Sequence, residues 1–208
     1  LVERVHQGEQ PDTLLLLEHP HVYTLGRSGQ ASQVLVGPDQ LARLGASLFW
    51  VDRGGESTYH GPGQLVGYPI VNIRGWGGPI QYVRTLEQVI VDTLADFGIR
   101  AGTIQGLTGV WVGQEKIAAI GVKVSRGVTS HGFALNVNTD LAYFQYIIPC
   151  GIQDKGVTSM ARLLGRLIDV DEVCQHLVWY FGRRMGMEMV EVDREKGRVP
   201  WLGHLEGL

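Results

Sequence analysis

The chain has 208 residues, of which 29 are glycine, where average composition would give about 15. Its 18 basic and 21 acidic side chains leave a net charge of −3, which argues against a general nucleic-acid binder, while 44% apolar residues suffice for a substantial core. Two cysteines cannot make a disulfide scaffold, and no apolar run longer than Leu177 to Phe181 offers a membrane span or a signal peptide, so a soluble, cytoplasmic protein is expected.

No repeat, charge block or low-complexity tract divides the chain, and a single domain over residues 1–208 follows. The first residue is Leu1 and not Met, so an amino-terminal piece is expected ahead of it. Strands are predicted at 13–18, 47–52, 64–73, 108–112, 116–125, 128–137 and 187–192, where β-branched and aromatic residues are bounded by Gly, Asn or Asp. Residues 112–116 and 125–128 have the length of hairpin turns and join three strands into an antiparallel meander. Helices are predicted at 38–44, 79–97, 158–164 and 171–184. In the longest, Pro79 suits the first position and Ile80, Val83, Leu86, Ile90, Leu94 and Phe97 recur at helical spacing until Gly98. Clustered strands and helices indicate an α+β sandwich with a mixed, largely antiparallel sheet, not a doubly wound parallel one. The tail Asp193–Leu208 reads as irregular, with no assigned role.

The run Arg53-Gly54-Gly55-Glu56-Ser57-Thr58-Tyr59-His60-Gly61-Pro62-Gly63-Gln64 sets polar side chains among glycines between two apolar strands. Such a loop brings main chain close to a ligand, or is a turn-rich connection. It is not a Walker loop, because no Gly-Lys-Ser/Thr occurs, nor a dinucleotide fingerprint, because Gly61-Pro62-Gly63 precedes a strand and not a helix. Cys150, between Pro149 and Gly151, is either a reactive thiol or a buried inert one; Cys174, within a helix, fits the inert description. Lys116 opens a strand of small apolar residues, as a solvated hairpin lysine or a lysine facing a substrate. Thr129, His131, Phe133 and Leu135 share one strand face, which leaves His131 as a core or a catalytic histidine. His19-Pro20-His21 lacks a third ligand and the cysteines lie far apart, so no metal site is expected.

Glu18-His19-Pro20, Tyr23-Thr24-Leu25-Gly26-Arg27, the Arg53–Gln64 run, Lys116-Ile117-Ala118 to Gly121, His131-Gly132-Phe133-Ala134-Leu135-Asn136 and Pro149-Cys150-Gly151-Ile152 appear in that order. Together they closely resemble the lipoyl(octanoyl) transferases over roughly residues 14–165. The resemblance implies the fold shared with biotin and lipoate protein ligases, and transfer of an octanoyl group from acyl carrier protein to a lysine of a lipoyl domain. Those domains belong to 2-oxoacid dehydrogenase complexes and the glycine cleavage H protein. It further implies Cys150 and Lys116 as the catalytic pair, with an acyl-thioester at Cys150. Arg53, Gly54, Gly55, Glu56, Ser57, Thr58, Tyr59 and His60, then Ala119, Ile120 and Gly121, then Gly132, Phe133 and Ala134, would line the substrate pocket. Phe133 stands where many relatives have Leu, an exchange expected to reshape the acyl slot. A thioester is already activated, so no cofactor is expected. The alternatives are an ATP-dependent lipoate or biotin protein ligase on the same fold and a non-catalytic module that binds acyl carriers or lipoyl domains. Docking an acidic carrier would need a basic patch, for which Arg53, Arg74, Arg84, Lys123 and Arg126 are candidates.

Overall fold

The computed structural model describes residues 1–148, 155–193 and 197–200. Among them the helices are α1 (Val2–Gln7), α2 (Pro38–Arg43), α3 (Pro79–Asp96), α4 (Met160–Leu164) and α5 (Val170–Met185). The strands are β1 (Thr13–Leu17), β2 (Val22–Leu25), β3 (Ser47–Trp50), β4 (Ser57–His60), β5 (Gln64–Ile70), β6 (Gly102–Ile104), β7 (Leu107–Val112), β8 (Glu115–Ser125), β9 (Val128–Asn136), β10 (Gly156–Val157), β11 (Val190–Asp193) and β12 (Gly197–Pro200). A seven-stranded sheet runs β1-β5-β9-β8-β7-β6, antiparallel throughout, with β10 added parallel to β8. A second sheet, β3-β2-β4, pairs β3 parallel to β2 and β4 antiparallel to it. The expected α+β sandwich with a mixed, mostly antiparallel sheet is what forms.

One face of the large sheet carries the main core. Leu65, Ile117, Phe133 and Leu135 pack there against α3 and α5, through Leu86, Ile90 and Leu94 of the former and Val173, Leu177 and Phe181 of the latter. Gly78 and Pro79 start α3 as the sequence indicates, and Gly98, at φ 75°, follows its end. Its apolar stripe is rotated from the one anticipated: Tyr82 and Val89 are buried, whereas Ile80 is exposed. Asp169 caps α5 by accepting from the Asp171 N–H at 2.9 Å. β12 pairs with β11, so residues 197–200 are a strand where irregular chain was expected.

The opposite face of the large sheet looks toward the small sheet, whose own core joins Tyr23, Leu41, Tyr59 and Phe144. β4 lies inside the Arg53–Gln64 run, so that run is two loops around a strand and not one long connection. A four-residue strand between glycines carries too little periodicity to be read from sequence.

Candidate active site

Between the two sheets lies a cavity of about 680 Å³. The loop after β3 crosses it and rests on the large sheet main chain to main chain. The Gly54 N–H donates to the Val122 carbonyl at 3.0 Å. A Cβ on Gly121 would stand 2.9 Å from the Gly54 oxygen and 3.1 Å from Arg53 Cδ, and one on Gly54 would stand 3.1 Å from the Val122 oxygen. The glycines of these two motifs therefore let protein backbone meet protein backbone, and Gly132 does the same against the Gly67 carbonyl.

Asp52 ties the same loop down with charge. It accepts from Lys123 Nζ at 2.5 Å and from His131 Nε2 at 2.7 Å, and those hydrogen bonds, Lys123 first, hold its carboxyl down to about 2. Arg53 is buried: its guanidinium donates to the Thr24 carbonyl at 2.9 Å, to Thr24 Oγ1 at 2.8 Å and to the Gly54 carbonyl at 3.1 Å. His131 does not follow the strand alternation expected of it. Phe133 and Leu135 face the core, but His131 sits at φ 58° and reaches Asp52 on the cavity side. Across from it β5 carries Pro69, which has no N–H to give, and Thr129 Oγ1 bonds the Pro69 carbonyl and the Val71 N–H instead. Tyr68, next to this break, meets His19 Nε2 at 2.6 Å.

Lys116 reaches the cavity through a register shift. Val110 opposes Ala118 but Trp111 opposes Lys116, so β8 carries an extra residue there. Period two would put Lys116 on the face of Ala118; the extra residue puts it with Ala119 on the cavity wall instead, while Ile117 and Ala118 enter the core. Its Nζ lies 4.7 Å from the centroid of the Trp111 ring, which Lys155 Nζ also approaches at 5.8 Å. Just before the shift, Gly109 at φ 121° turns its N–H away from β8 to Glu87 Oε1 at 2.9 Å. Glu87 is buried and also accepts from Arg84 at 2.5 Å. Beyond Gly109 the ladder between β7 and β8 stops, and Leu107 and Thr108 on one side, Ile120 and Val122 on the other, and Val83 of α3 line an extension of the cavity.

Of the residues expected at the pocket, Arg53, Gly55, Glu56, Ser57, Thr58 and His60 lie on the wall, together with Lys116, Ala119, Ile120 and Gly121, and with Gly132, Phe133 and Ala134. Gly54 and Tyr59 do not: Gly54 serves the seam on β8, and Tyr59 is fully buried in the small core with its hydroxyl 2.7 Å from His21 Nδ1. The Phe133 ring packs into the main core over Gly67, where any Cβ would collide with it, so the ring belongs to the core face of the sheet. Pro149, Cys150 and Gly151 lie outside the described residues, but both flanks are held at the cavity. The Ile148 carbonyl accepts from Ser57 Oγ at 2.6 Å, and Val157 is the register partner of Lys116. Cys174 is half-buried, and burial pushes its thiol up to about 11. Among the described residues no group of three or more His, Cys, Asp or Glu is placed to hold a metal ion, and no helix is long and apolar enough to cross a membrane. Of the candidate basic patch, Arg53 is spent inside the wall, Arg84 pairs with Glu87, Lys123 with Asp52 and Arg126 with Glu3, and Arg74 donates to the Arg126 carbonyl. Asp52 and Tyr68 had no sequence signal of their own; each is brought in by contacts between segments far apart in the chain.

The profile of the lipoyl protein ligase A/B catalytic domain matches residues 1–182. An octanoyltransferase of Solibacter usitatus is 60% identical over 185 residues, covering 88% of this chain and 83% of the relative. One from Caldicellulosiruptor saccharolyticus is 46% identical over 202 residues, covering 94% and 86%. Among solved structures, lipoate-protein ligase A bound with ATP superposes with a TM-score of 0.72 at 19% identity, covering 89% of this chain and 78% of that one. The bi-partite lipoate protein ligase of Thermoplasma acidophilum gives 0.69 at 19%, covering 90% and 77%. These two likenesses show the fold.

Proposed function

Since the chain belongs to the octanoyltransferases of the lipoyl protein ligase A/B catalytic domain family, acyltransferases of protein lipoylation, we propose that it moves an octanoyl group from acyl carrier protein to the lysine of a lipoyl domain through a thioester at Cys150. The acceptors would be the lipoyl domains of 2-oxoacid dehydrogenase complexes and the glycine cleavage H protein.

The observation that carries this reading is that the two described flanks of the Cys150 segment are bonded to Ser57 and Lys116, which line the same cavity. Ser57 holds Ile148 at the cavity wall, and the Thr158 N–H donates to the Lys116 carbonyl at 3.0 Å beside the pairing of β10 with β8. An ammonium close to a thiol favours the thiolate. The Cys150 thiolate attacks the donor carbonyl, the new C–S bond forms as the donor C–S bond breaks, and the carrier thiolate takes a proton from Lys116. In the second half the acceptor amine attacks the enzyme thioester, releasing the Cys150 sulfur. The extension lined by Val83, Leu107 and Ile120 offers apolar surface for an alkyl chain.

Intact-mass measurement tests the thioester. Incubation with octanoyl-acyl carrier protein, without ATP, is expected to add one octanoyl group to the parent and none to Cys150→Ser. An unchanged parent mass, or AMP formation required for product, overturns the reading in favour of the ligase chemistry.

A further inference from the structure

Two motif residues take no part in the chemistry above: Gln64, which closes the run from His60, and Asn136, which closes the run from His131. Both are buried, and they are register partners on β5 and β9. Gln64 Nε2 donates to the Tyr59 carbonyl at 3.2 Å and to Asn136 Oδ1 at 2.9 Å, and Asn136 Nδ2 donates to the Thr158 carbonyl at 3.0 Å. A main-chain carbonyl only accepts, so the nitrogen end of each amide is defined and Gln64 Oε1 remains an acceptor. That oxygen lies 2.8 Å from His60 Nδ1. Two acceptors do not bond, so Nδ1 carries the proton and Nε2 holds the lone pair. His60 lines the cavity, and among the described residues Nε2 has no hydrogen-bond partner. The row also leads to the reaction centre. Thr158 bonds the Lys116 main chain, and a void of about 20 Å³ is lined jointly by Gln64, Asn136 and Lys116.

We propose that His60 is the fixed hydrogen-bond acceptor for the attacking amine of the acceptor lysine, and that Gln64 and Asn136 are positioning residues that hold its Nε2 unprotonated; this rests on the acyl transfer proposed above. A primary amine attacks a thioester only with its lone pair aimed at the carbonyl carbon, and giving one N–H to Nε2 sets that direction. As the C–N bond forms, the nitrogen gains positive charge and the N–H···N bond strengthens, so the contact is tighter in the transition state than before it. The C–S bond then breaks, one amine proton passes by way of the Cys150 sulfur to the Lys116 amine, which restores the thiolate–ammonium pair, and the amide keeps the other. His60 ends in the form in which it began. Burial lowers its pKa to about 4, His19, Arg53 and His131 act in the same direction, and the Gln64 hydrogen bond opposes them. The imidazole is therefore neutral, and an acceptor, at neutral pH.

Single-turnover kinetics of the full chain separate the two half-reactions. In His60→Asn, which has no acceptor at the ε position, transfer from the octanoyl-enzyme to a lipoyl domain is expected to fall about 10- to 100-fold while acylation is kept. His60→Gln, whose Oε1 reaches the ε position, is expected to recover most of that loss. A fall in acylation with transfer intact would assign the imidazole to the donor and overturn the proposal, as would transfer at the parent rate. Imidazole 15N shifts of the parent supply a readout that needs no variant: His60 is expected as the Nδ1–H tautomer at pH 7, and an Nε2–H tautomer would refute the lock. A parent that transfers octanoyl without an enzyme thioester overturns the route of the preceding section, a result distinct from either.

Discussion

Removing the Glu87 carboxylate tests whether the parting of β7 from β8 is held open by that one group. In Glu87→Ala the buried Gly109 N–H loses its acceptor at 2.9 Å, a cost of about 1–3 kcal/mol. One buried methylene goes with it, worth about 0.8 kcal/mol. The Arg84 pair adds less than about 1 kcal/mol, because the guanidinium is half exposed. The total, about 2–5 kcal/mol, corresponds to a melting temperature lower by roughly 4–20 °C in a chain of this size. Glu87→Gln keeps an acceptor for the Gly109 N–H and gives up only the charge, so its loss should stay within about 1 kcal/mol, or roughly 2–4 °C. Thermal unfolding followed by near-UV circular dichroism at pH 7.5 measures both. Equal destabilisation of the two variants would show that charge, and not the hydrogen bond to Gly109, is what the site needs, and the reasoning would fail. An Ala variant as stable as the parent would refute it equally.

His60 gives the chain a pH dependence of defined sign. Its pKa falls from 6.5 to about 4 on folding, so the unfolded chain binds more protons in that interval; the stability contribution is complete above pH 6.5 and lost as pH falls toward 4. The full gap is worth about 3 kcal/mol. Denaturant titrations at pH 7 and pH 4.5 should show part of this loss in the parent, and His60→Gln should lack it; identical pH slopes would count against the buried imidazole. Cys174 is expected to resist iodoacetamide at pH 8, because its thiol is raised to about 11, and Cys174→Ser should transfer octanoyl at the parent rate. Rapid alkylation of Cys174, or loss of transfer in the variant, would contradict its inert role.

What could be read from the chain were the features that local physics writes into consecutive residues. Pro79 and Gly98 bracket α3, and the turns at 112–116 and 125–128 announce the meander of β7, β8 and β9. Of the small sheet only β3 was legible; β2 and β4 escaped, because they have four residues each and β2 finds β3 in parallel far along the chain. Ile80 was counted in the apolar stripe of α3 because spacing alone does not tell which way a helix faces. The positive φ of His131 and the extra residue at Lys116 both reverse a side chain relative to simple alternation, and each depends on a neighbouring strand that spacing does not reveal. The motif residues were recognised as a set, but the set did not tell wall from scaffold. Only the fold separates His60 on the wall from Gln64 and Asn136 behind it, or Ser57 from the buried Tyr59.

The seam between the Arg53–Gly55 loop and β8 also sets how that loop can move. Gly54 is bonded to Val122 through main chain, and Asp52 grips Lys123 and His131 beside it. Hinging the loop away would break all three bonds together. This side of the cavity therefore moves as one piece or not at all, and a substitution at Asp52 alone would leave the Gly54–Val122 bond as a main-chain tie between the loop and β8.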